Sequence, residues 1–291
     1  MTGFDYFAPQ RLEEAVSLLR RYGSKAALLA GGTDLLLRLE RRLVAPSVVV
    51  DLKKIRHLRG IKSNRIGLRI GALTLMEEIA SSPLVQRRYG IIAKGAAVVG
   101  SIQTRNRATL GGNLCNASPA ADTAPPLIAL AAQARIVGAR RVRQVPLEEF
   151  FLGPGKTCLK LNELLKEIFI PSPAKRSGGS FQRSTRTAMD IALVNCAVFL
   201  CLAPKDEIIA DIRIALGAVA PTPVRAKPAE DVLRDKKLDK KLLEEAAERA
   251  AASVRPIDDV RSSASYRREM VRVLTRRAIE EALKQARGNG Q

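Results

Sequence analysis

Two di-glycine motifs contain the residues of this chain best suited to chemistry. The first is Ala30-Gly31-Gly32-Thr33-Asp34-Leu35, and the second is Thr109-Leu110-Gly111-Gly112-Asn113, followed by Ser118-Pro119-Ala120-Ala121-Asp122. Glycine lets the backbone approach a ligand closely and adopt positive φ. Consecutive N–H groups at such a turn form a cradle for anions, and nearby hydroxyl or amide side chains can add hydrogen bonds to phosphate oxygens. Two such loops in one chain predict a site that grips a diphosphate from two sides.

Other phosphate-binding motifs are absent or incomplete. Neither di-glycine motif has the G-x-G-x-x-G spacing of a Rossmann dinucleotide site. The run Gly153-Pro154-Gly155-Lys156-Thr157 resembles the end of a P-loop, but that motif needs a glycine where Phe150 stands. We therefore predict a simple turn between Phe151 and Leu159.

The histidine and cysteine content limits metal and nucleophile chemistry. The only histidine, His57, lies among cations in residues 53–59, which would make it a poor base. The four cysteines form no C-x-x-C pair: Cys115, Cys158, Cys196 and Cys201. The chain is therefore expected to hold no iron–sulfur cluster and no structural zinc of its own. We interpret the cysteines as ordinary small buried residues.

Composition and charge define the class of protein. The 291 residues include 49 Lys+Arg and 29 Asp+Glu, a net charge of +20, and 46% are hydrophobic. Such a charge attracts acidic partner proteins, phosphate-rich ligands or nucleic acid. Aromatic residues make up only 4%, which disfavours the stacking platforms of single-strand binders. No apolar run has the length of a membrane span and no signal pattern opens the chain, so we expect a soluble cytoplasmic protein.

The elements around the motifs follow from periodicity and turn residues. In the first half, helical spacing covers residues 11–21, 91–99 and 123–132, and strand patterns cover 26–30, 48–50, 65–70, 134–137 and 166–170. The first motif directly follows one of these strands. A capping box at residues 74–77 predicts the start of another helix. The polar stretch 101–122 is too long for a simple turn, which marks it as functional.

A proline- and glycine-rich linker at 171–179 divides the chain. Beyond it, strands are predicted at 180–186, 191–202 and 208–216, and helices at 239–253 and 263–286. The last helix should turn an apolar face inward, composed of Tyr266, Met270, Val273, Leu274 and Ile279. Strands followed by helices indicate an α+β module.

These motifs together resemble one family, the FAD-binding medium subunits of molybdenum hydroxylases, which include aerobic carbon monoxide dehydrogenase and xanthine dehydrogenase. The resemblance continues past the linker, through Phe181-Gln182-Arg183 to Asp190-Ile191-Ala192, then through residues 216–226 and 259–267. It covers essentially the whole chain in the right order. The chain lacks the cysteine-rich insertion of relatives of the 4-hydroxybenzoyl-CoA reductase type, which argues against that branch.

The resemblance implies an α+β fold and a multi-subunit oxidoreductase. Residues 1–173 would form a two-subdomain FAD-binding domain of the PCMH/vanillyl-alcohol-oxidase type, with subdomains at about 1–53 and 54–173. Residues 174–291 would form a small α+β C-terminal domain. FAD would take electrons from a [2Fe-2S] subunit and pass them to an external acceptor. The molybdenum cofactor and the clusters would lie on a large and a small partner subunit, assembled with this chain as a dimer of heterotrimers, with no nucleic acid bound.

The resemblance also assigns cofactor contacts residue by residue. The two di-glycine motifs would hold the diphosphate, Asp122 would contact the adenosine part, and Asp190 would lie near the flavin. Arg183 occupies a position where some relatives carry lysine. The expected contacts are Ala30, Gly31, Gly32, Thr33, Asp34, Leu35, Thr109, Gly111, Gly112, Asn113, Ser118, Asp122, Arg183 and Asp190. No catalytic side chain and no metal ligand is expected.

Two other functions fit the residues alone. One is a nucleotide-binding oxidoreductase that acts without partners, which a purified chain lacking yellow colour would favour. The other is a basic nucleic-acid-binding protein, which would bind tightly at physiological salt and release its ligand steeply as salt rises.

Overall fold

A parallel three-stranded sheet opens the fold. The computed structural model describes residues 3–139 and 141–288. The first elements are β1 (Asp5–Phe7), α1 (Leu12–Tyr22), β2 (Ala26–Leu29), α2 (Leu35–Glu40) and β3 (Val48–Asp51). The strands pair in the order β1-β3-β2, all parallel. Helical spacing predicts an apolar stripe on α1 made of Leu12, Ala15, Val16, Leu18 and Leu19. All of these residues are buried except Leu18, which is only partly buried. Since β2 ends at Leu29, the first di-glycine motif lies at the carboxyl end of a parallel strand.

The middle of the chain forms an antiparallel sheet of five strands in the order β4-β5-β10-β6-β7. These strands are β4 (Ile61–Ser63), β5 (Gly67–Gly71), β6 (Gln133–Val137), β7 (Val142–Pro146) and β10 (Leu164–Pro171), with β8 (Phe151–Gly153) and β9 (Lys156–Thr157) forming a separate hairpin. Six short helices connect β5 to β6: α3 (Met76–Ser81), α4 (Pro83–Arg88), α5 (Gly90–Ala97), α6 (Ile102–Arg105), α7 (Leu110–Asn116) and α8 (Ala124–Ala129).

The C-terminal part is a four-stranded antiparallel sheet followed by three helices. Its elements are β11 (Ser177–Ser184), β12 (Val194–Leu202), β13 (Ile209–Gly217), β14 (Val224–Arg225), α9 (Lys227–Leu233), α10 (Lys240–Ala252) and α11 (Ala264–Gly288). Strand β12 is buried on both faces because it joins two cores. Val194, Cys196 and Val198 belong to the core under α10 and α11. The alternate residues Ala197 and Phe199 belong to the core of the middle sheet, as the period of two requires.

The structure confirms the predicted α+β architecture and corrects one local prediction, the capping box at residues 74–77. Helix α3 starts one residue later than the capping box implies: the Glu78 carboxylate accepts the backbone N–H of Leu75 (2.9 Å). Thr74 does not cap the helix, because its hydroxyl bonds the backbone of Gly60. The stretch 101–122, too long for a simple turn, contains α6 and α7. Within the described residues, no helix is both long and apolar enough to span a membrane.

The buried face of α11 also differs from the prediction. Tyr266 is 46% exposed and Val273 is only partly buried, whereas Arg267 and Val271 point inward. The Arg267 guanidinium donates to the carbonyl oxygens of Leu193 (3.0 Å) and Ala218 (3.1 Å) and pairs with Asp259 (2.8 Å). A buried arginine thus holds the start of α11 against the ends of the sheet. The spacing of apolar residues could not predict this inward position, because Arg267 is charged.

Candidate cofactor-binding site

A cavity of about 800 Å³ lies where the three parts of the chain meet. All fourteen residues that the sequence assigned to cofactor binding line it, contributed by three regions: Ala30, Gly31, Gly32, Thr33, Asp34 and Leu35 after β2; Thr109, Gly111, Gly112, Asn113, Ser118 and Asp122 around α7; Arg183 and Asp190 from the C-terminal part. The fold therefore brings together residues separated by up to 160 positions in the chain. Their contacts with a cofactor stay a prediction.

The first di-glycine motif presents a row of free backbone donors. None of the five consecutive N–H groups from Gly31 to Leu35 donates a hydrogen bond to a described residue. Gly32 has φ +82°, a conformation that side chains rarely adopt, so glycine is required to turn the chain here. At Gly31, a Cβ would overlap the carbonyl oxygen of Arg107. This segment forms the predicted anion cradle.

The backbone N–H groups of the second motif are arranged differently from the predicted cradle. It forms the first turn of α7, and Thr109 caps this helix by accepting the N–H of Gly112 (3.1 Å). The N–H of Leu110 donates to Thr74 O (3.0 Å), and that of Gly111 donates to Ala72 O (2.8 Å). The prediction of free N–H groups is therefore wrong at this motif, because the turn before α3 already satisfies them.

The two glycines of the second motif are required for different reasons. A Cβ on Gly111 would lie 2.7 Å from Ala72 Cβ and 2.8 Å from Ala72 O, so this glycine allows two backbone segments to pack. A Cβ on Gly112 would meet only Thr109 Oγ1 at 3.0 Å and Ala30 Cβ at 4.0 Å. Since Gly112 lines the cavity, the space beside its Cα is open to a ligand.

Polar side chains connect the two motifs. Asn116 Nδ2 donates to Asp34 Oδ1 (3.1 Å). Burial raises the pKa of Asp34, while the Thr33 side chain and the charge of Arg38 act in the opposite direction. Asn113 accepts the Thr123 hydroxyl at Oδ1 (2.6 Å), and its Nδ2 has no acceptor among the described residues. The amide of Asn113 is therefore oriented with a donor to spare.

Asp122 is the most deeply buried charged group of the cavity, 6% exposed. Its Oδ1 accepts Asn195 Nδ2 (2.8 Å), and its Oδ2 lies 3.2 Å from Arg183 Nε. Burial raises the pKa of Asp122 to about 6, against the opposing charge of Arg183 and the hydrogen bond from Asn195. Asp122 thus joins the middle of the chain to strands β11 and β12.

Arg183 and Asp190 are also brought together. The Arg183 guanidinium donates to the carbonyl oxygens of Asp190 and Ala188, while the Asp190 carboxylate pairs with Arg186 (2.9 Å). These bonds hold the segment between β11 and β12 against the cavity. Arg183 therefore positions both this segment and the Asp122 carboxylate.

Several residues of the cavity were missed by sequence reasoning. Arg38 lines it, and its side chain has no hydrogen-bond or ion-pair partner among the described residues; its position in the basic run 38–42 was the available signal. The apolar wall was not predicted, because its residues carry no distinguishing chemistry: Val98, Val99, Leu159, Leu164, Leu165, Met189 and Ile191.

The other candidate features of the sequence lie outside this cavity, except Cys115, which lines it. The β8–β9 hairpin turns at residues 154–155, within the turn predicted between Phe151 and Leu159. No group of three or more His, Cys, Asp or Glu residues suited to a metal occurs in the described ranges. All four cysteines are free, but only Cys196 is fully buried, which corrects the interpretation of all four as buried.

Comparison with known proteins identifies the family. The model described as "FAD binding domain in molybdopterin dehydrogenase" matches residues 2–173, and that of the "CO dehydrogenase flavoprotein C-terminal domain" matches 179–282. The carbon monoxide dehydrogenase medium chain of Hydrogenophaga pseudoflava is 36% identical over 96% of both chains. The xanthine dehydrogenase FAD-binding subunit of Escherichia coli O157:H7 is 34% identical over 99% of this chain and 100% of that one.

Solved structures agree over the whole fold. Carbon monoxide dehydrogenase from H. pseudoflava superposes with a TM-score of 0.93 at 37% identity, covering 97% of each chain. Quinoline 2-oxidoreductase from Pseudomonas putida 86 gives 0.90 at 32% identity, covering 99% of each. The chain therefore belongs to the FAD-binding medium subunits of the molybdenum hydroxylases, the flavoprotein components of these oxidoreductase complexes.

Proposed function

We propose that the cavity holds FAD with its diphosphate against the N–H groups of residues 31–35, and that the bound flavin connects an iron–sulfur subunit to an external acceptor. The observation that carries this assignment is the row of five backbone donors without an acceptor among the described residues. Such a row stabilises an anion through several short hydrogen bonds at once. Arg38, at the same cavity, adds a positive charge.

The remaining contacts suit a long ligand that crosses the cavity. The open side of Gly112 gives room for an oxygen atom, and Asn113 and Ser118 supply side-chain donors. At the other end, Arg183 and the segment up to Asp190 border the cavity from the C-terminal part. In this arrangement the three parts of the chain would close on one cofactor.

The protein residues bind and orient, and the redox chemistry belongs to the flavin. When bound, FAD supplies a group that accepts electrons singly and delivers them in pairs. Apolar residues of the wall, including Leu165 and Ile191, would limit water around the ring. The relatives named above differ in substrate while sharing this fold, which supports placing substrate oxidation on another subunit.

We extend the proposal to the assembly. A large molybdenum-cofactor subunit and a small [2Fe-2S] subunit are implied by the multi-subunit relatives, and we propose that two such heterotrimers associate. We also propose a division into domains at about residue 173, supported by the two family models on either side of it. A cytoplasmic location would keep the four free thiols reduced. The mass of the purified complex in solution tests the dimer of heterotrimers.

Acid precipitation tests the binding mode of the cofactor. Neither di-glycine motif contains a histidine or cysteine that could attach a flavin covalently. We therefore expect one FAD per chain, released completely into the supernatant and identified by chromatography against FMN. Flavin that stays in the pellet, or a chain that binds no FAD on reconstitution, would contradict the proposal.

A further inference from the structure

A second cavity, of about 280 Å³, lies behind the first di-glycine motif. Four residues line both cavities and form their common wall: Ala30, Gly31, Leu73 and Thr109. The others belong to the second cavity alone: Lys53, Arg56, Arg59, Leu75, Asn106 and Arg107. Of these ten described residues, four are cationic and none is a carboxylate. We call this cavity the basic pocket.

Two of the four cations have carboxylate partners outside the pocket. Lys53 Nζ lies 2.9 Å from Asp51 Oδ2. Arg59 forms a fork with Glu78, with distances of 2.7 Å from Nη2 and 3.0 Å from Nε. The side chains of Arg56 and Arg107, by contrast, have no hydrogen-bond or ion-pair partner among the described residues. The basic pocket therefore keeps two uncompensated guanidinium groups.

The backbone that carries these two arginines is fixed by packing. Arg107 donates its N–H to Thr104 O (3.0 Å), and its carbonyl oxygen packs directly against Gly31. Arg56 begins a short 3-10 helix between Ile55 and Leu58, whose side chains are fully buried. The backbone of both arginines is therefore held in place by packing, and both side chains line the basic pocket.

We propose that the basic pocket is a second anion site that binds a small phosphate anion, inorganic phosphate or pyrophosphate. Guanidinium groups bind such oxyanions through paired hydrogen bonds. Asn106 Nδ2 donates one hydrogen to Ile102 O (3.0 Å) and has a second to offer. The volume suits a small ligand, whereas the main cavity is nearly three times larger. Because Arg56 and Arg107 do not line the main cavity, this inference goes beyond the FAD site and does not depend on it.

Calorimetric titration of the full chain tests this site. The probe is inorganic pyrophosphate, added to protein saturated with FAD so that the diphosphate cradle is already filled. Arg56→Gln and Arg107→Gln remove one guanidinium each. Arg268→Gln is the matched control, since Arg268 is exposed on α11 and its side chain also has no partner among the described residues. All three variants lose one positive charge and no described side-chain contact.

We expect one saturable pyrophosphate site in the wild type. Each pocket variant should weaken binding about ten- to hundredfold, while Arg268→Gln binds as the wild type does at the same ionic strength. If the chain takes up no FAD, the proposed function fails, but titration of the apoprotein with the same variants still decides this site. Absence of saturable binding, or equal weakening by Arg268→Gln, would overturn the proposal. Binding of a polyglutamate peptide without binding of pyrophosphate would instead identify a protein-docking surface.

Discussion

The adjacent glycines of the second motif allow folding and cofactor binding to be separated by two single-methyl substitutions. Gly111→Ala would place a methyl group 2.7–2.8 Å from Ala72 Cβ and O. Because one of these atoms is backbone, neighbouring segments must shift, and overpacking of this kind costs about 1–3 kcal/mol. Gly112→Ala would meet only the Thr109 hydroxyl, at 3.0 Å. Alanine has a helix propensity up to about 1 kcal/mol better than glycine, and since both glycines lie in α7 this gain applies to both variants. It offsets the single tight contact at Gly112 but only part of the overpacking at Gly111.

The expected results are therefore opposite for the two variants. Gly111→Ala should lower the melting temperature of the apoprotein by several degrees, at about 2–4 °C per kcal/mol. Gly112→Ala should melt within a few degrees of the wild type but should displace an oxygen of the diphosphate from the cavity. Loss of one hydrogen bond to a charged group costs about 1.5–3 kcal/mol, which corresponds to an affinity for FAD about ten- to hundredfold weaker.

Differential scanning fluorimetry with and without FAD measures both effects. A ligand that binds only the folded state stabilises it by mass action, so the FAD-induced rise in melting temperature reports affinity. Titration of flavin fluorescence gives the same Kd independently. Wild-type FAD affinity in Gly112→Ala would refute the reasoning, and so would a wild-type melting temperature in Gly111→Ala.

Two further predictions concern charge. Because the pKa of Asp122 is raised to about 6 from an ordinary value of 3.8, the folded protein binds a proton that the unfolded chain releases. The contribution of Asp122 to the free energy of unfolding therefore falls by up to about 3 kcal/mol as pH rises from about 4 to about 6. Denaturant unfolding should show this pH dependence in the wild type but not in Asp122→Asn, and the same pH dependence in both proteins would contradict the prediction. The net charge of +20 should steer association with acidic faces of the partner subunits. The association rate should therefore fall as salt rises from about 0.1 M to about 1 M, because the Debye length shrinks from about 10 Å to about 3 Å. A rate that does not change with salt would assign the charge to solubility.

Strong local patterns made the scaffold predictable. The apolar stripe of α1 and the all-buried run of β12 follow from periodicity, and the first di-glycine motif follows a strand as its sequence indicates. Short elements such as β4 and β9 were missed, because two or three residues carry no period. The buried face of α11 was misassigned at Tyr266 because Arg267 takes an inward position through hydrogen bonds to carbonyl oxygens distant in sequence.

The site was predictable as a set of residues but not as a set of contacts. All fourteen residues line one cavity. They could be predicted because the composition of the motifs and the family resemblance both point to them. The hydrogen bonding of the second motif could not be predicted from its sequence. The N–H groups of Leu110 and Gly111 donate to carbonyl oxygens of Thr74 and Ala72, which lie in another segment. The partner of Asp122 in β12, Asn195, lies 73 residues away. Such pairings depend on how the sheets pack.

Electron transfer between separately purified subunits tests the central claim most directly. The iron–sulfur subunit is reduced chemically, freed of reductant and mixed with this chain loaded with oxidised FAD, in the presence of the large subunit. If this chain is the flavin component, the flavin absorbance bleaches while the cluster absorbance returns to that of the oxidised form, at a matching rate. A flavin that stays oxidised in an assembled complex beside a reduced cluster would contradict the account.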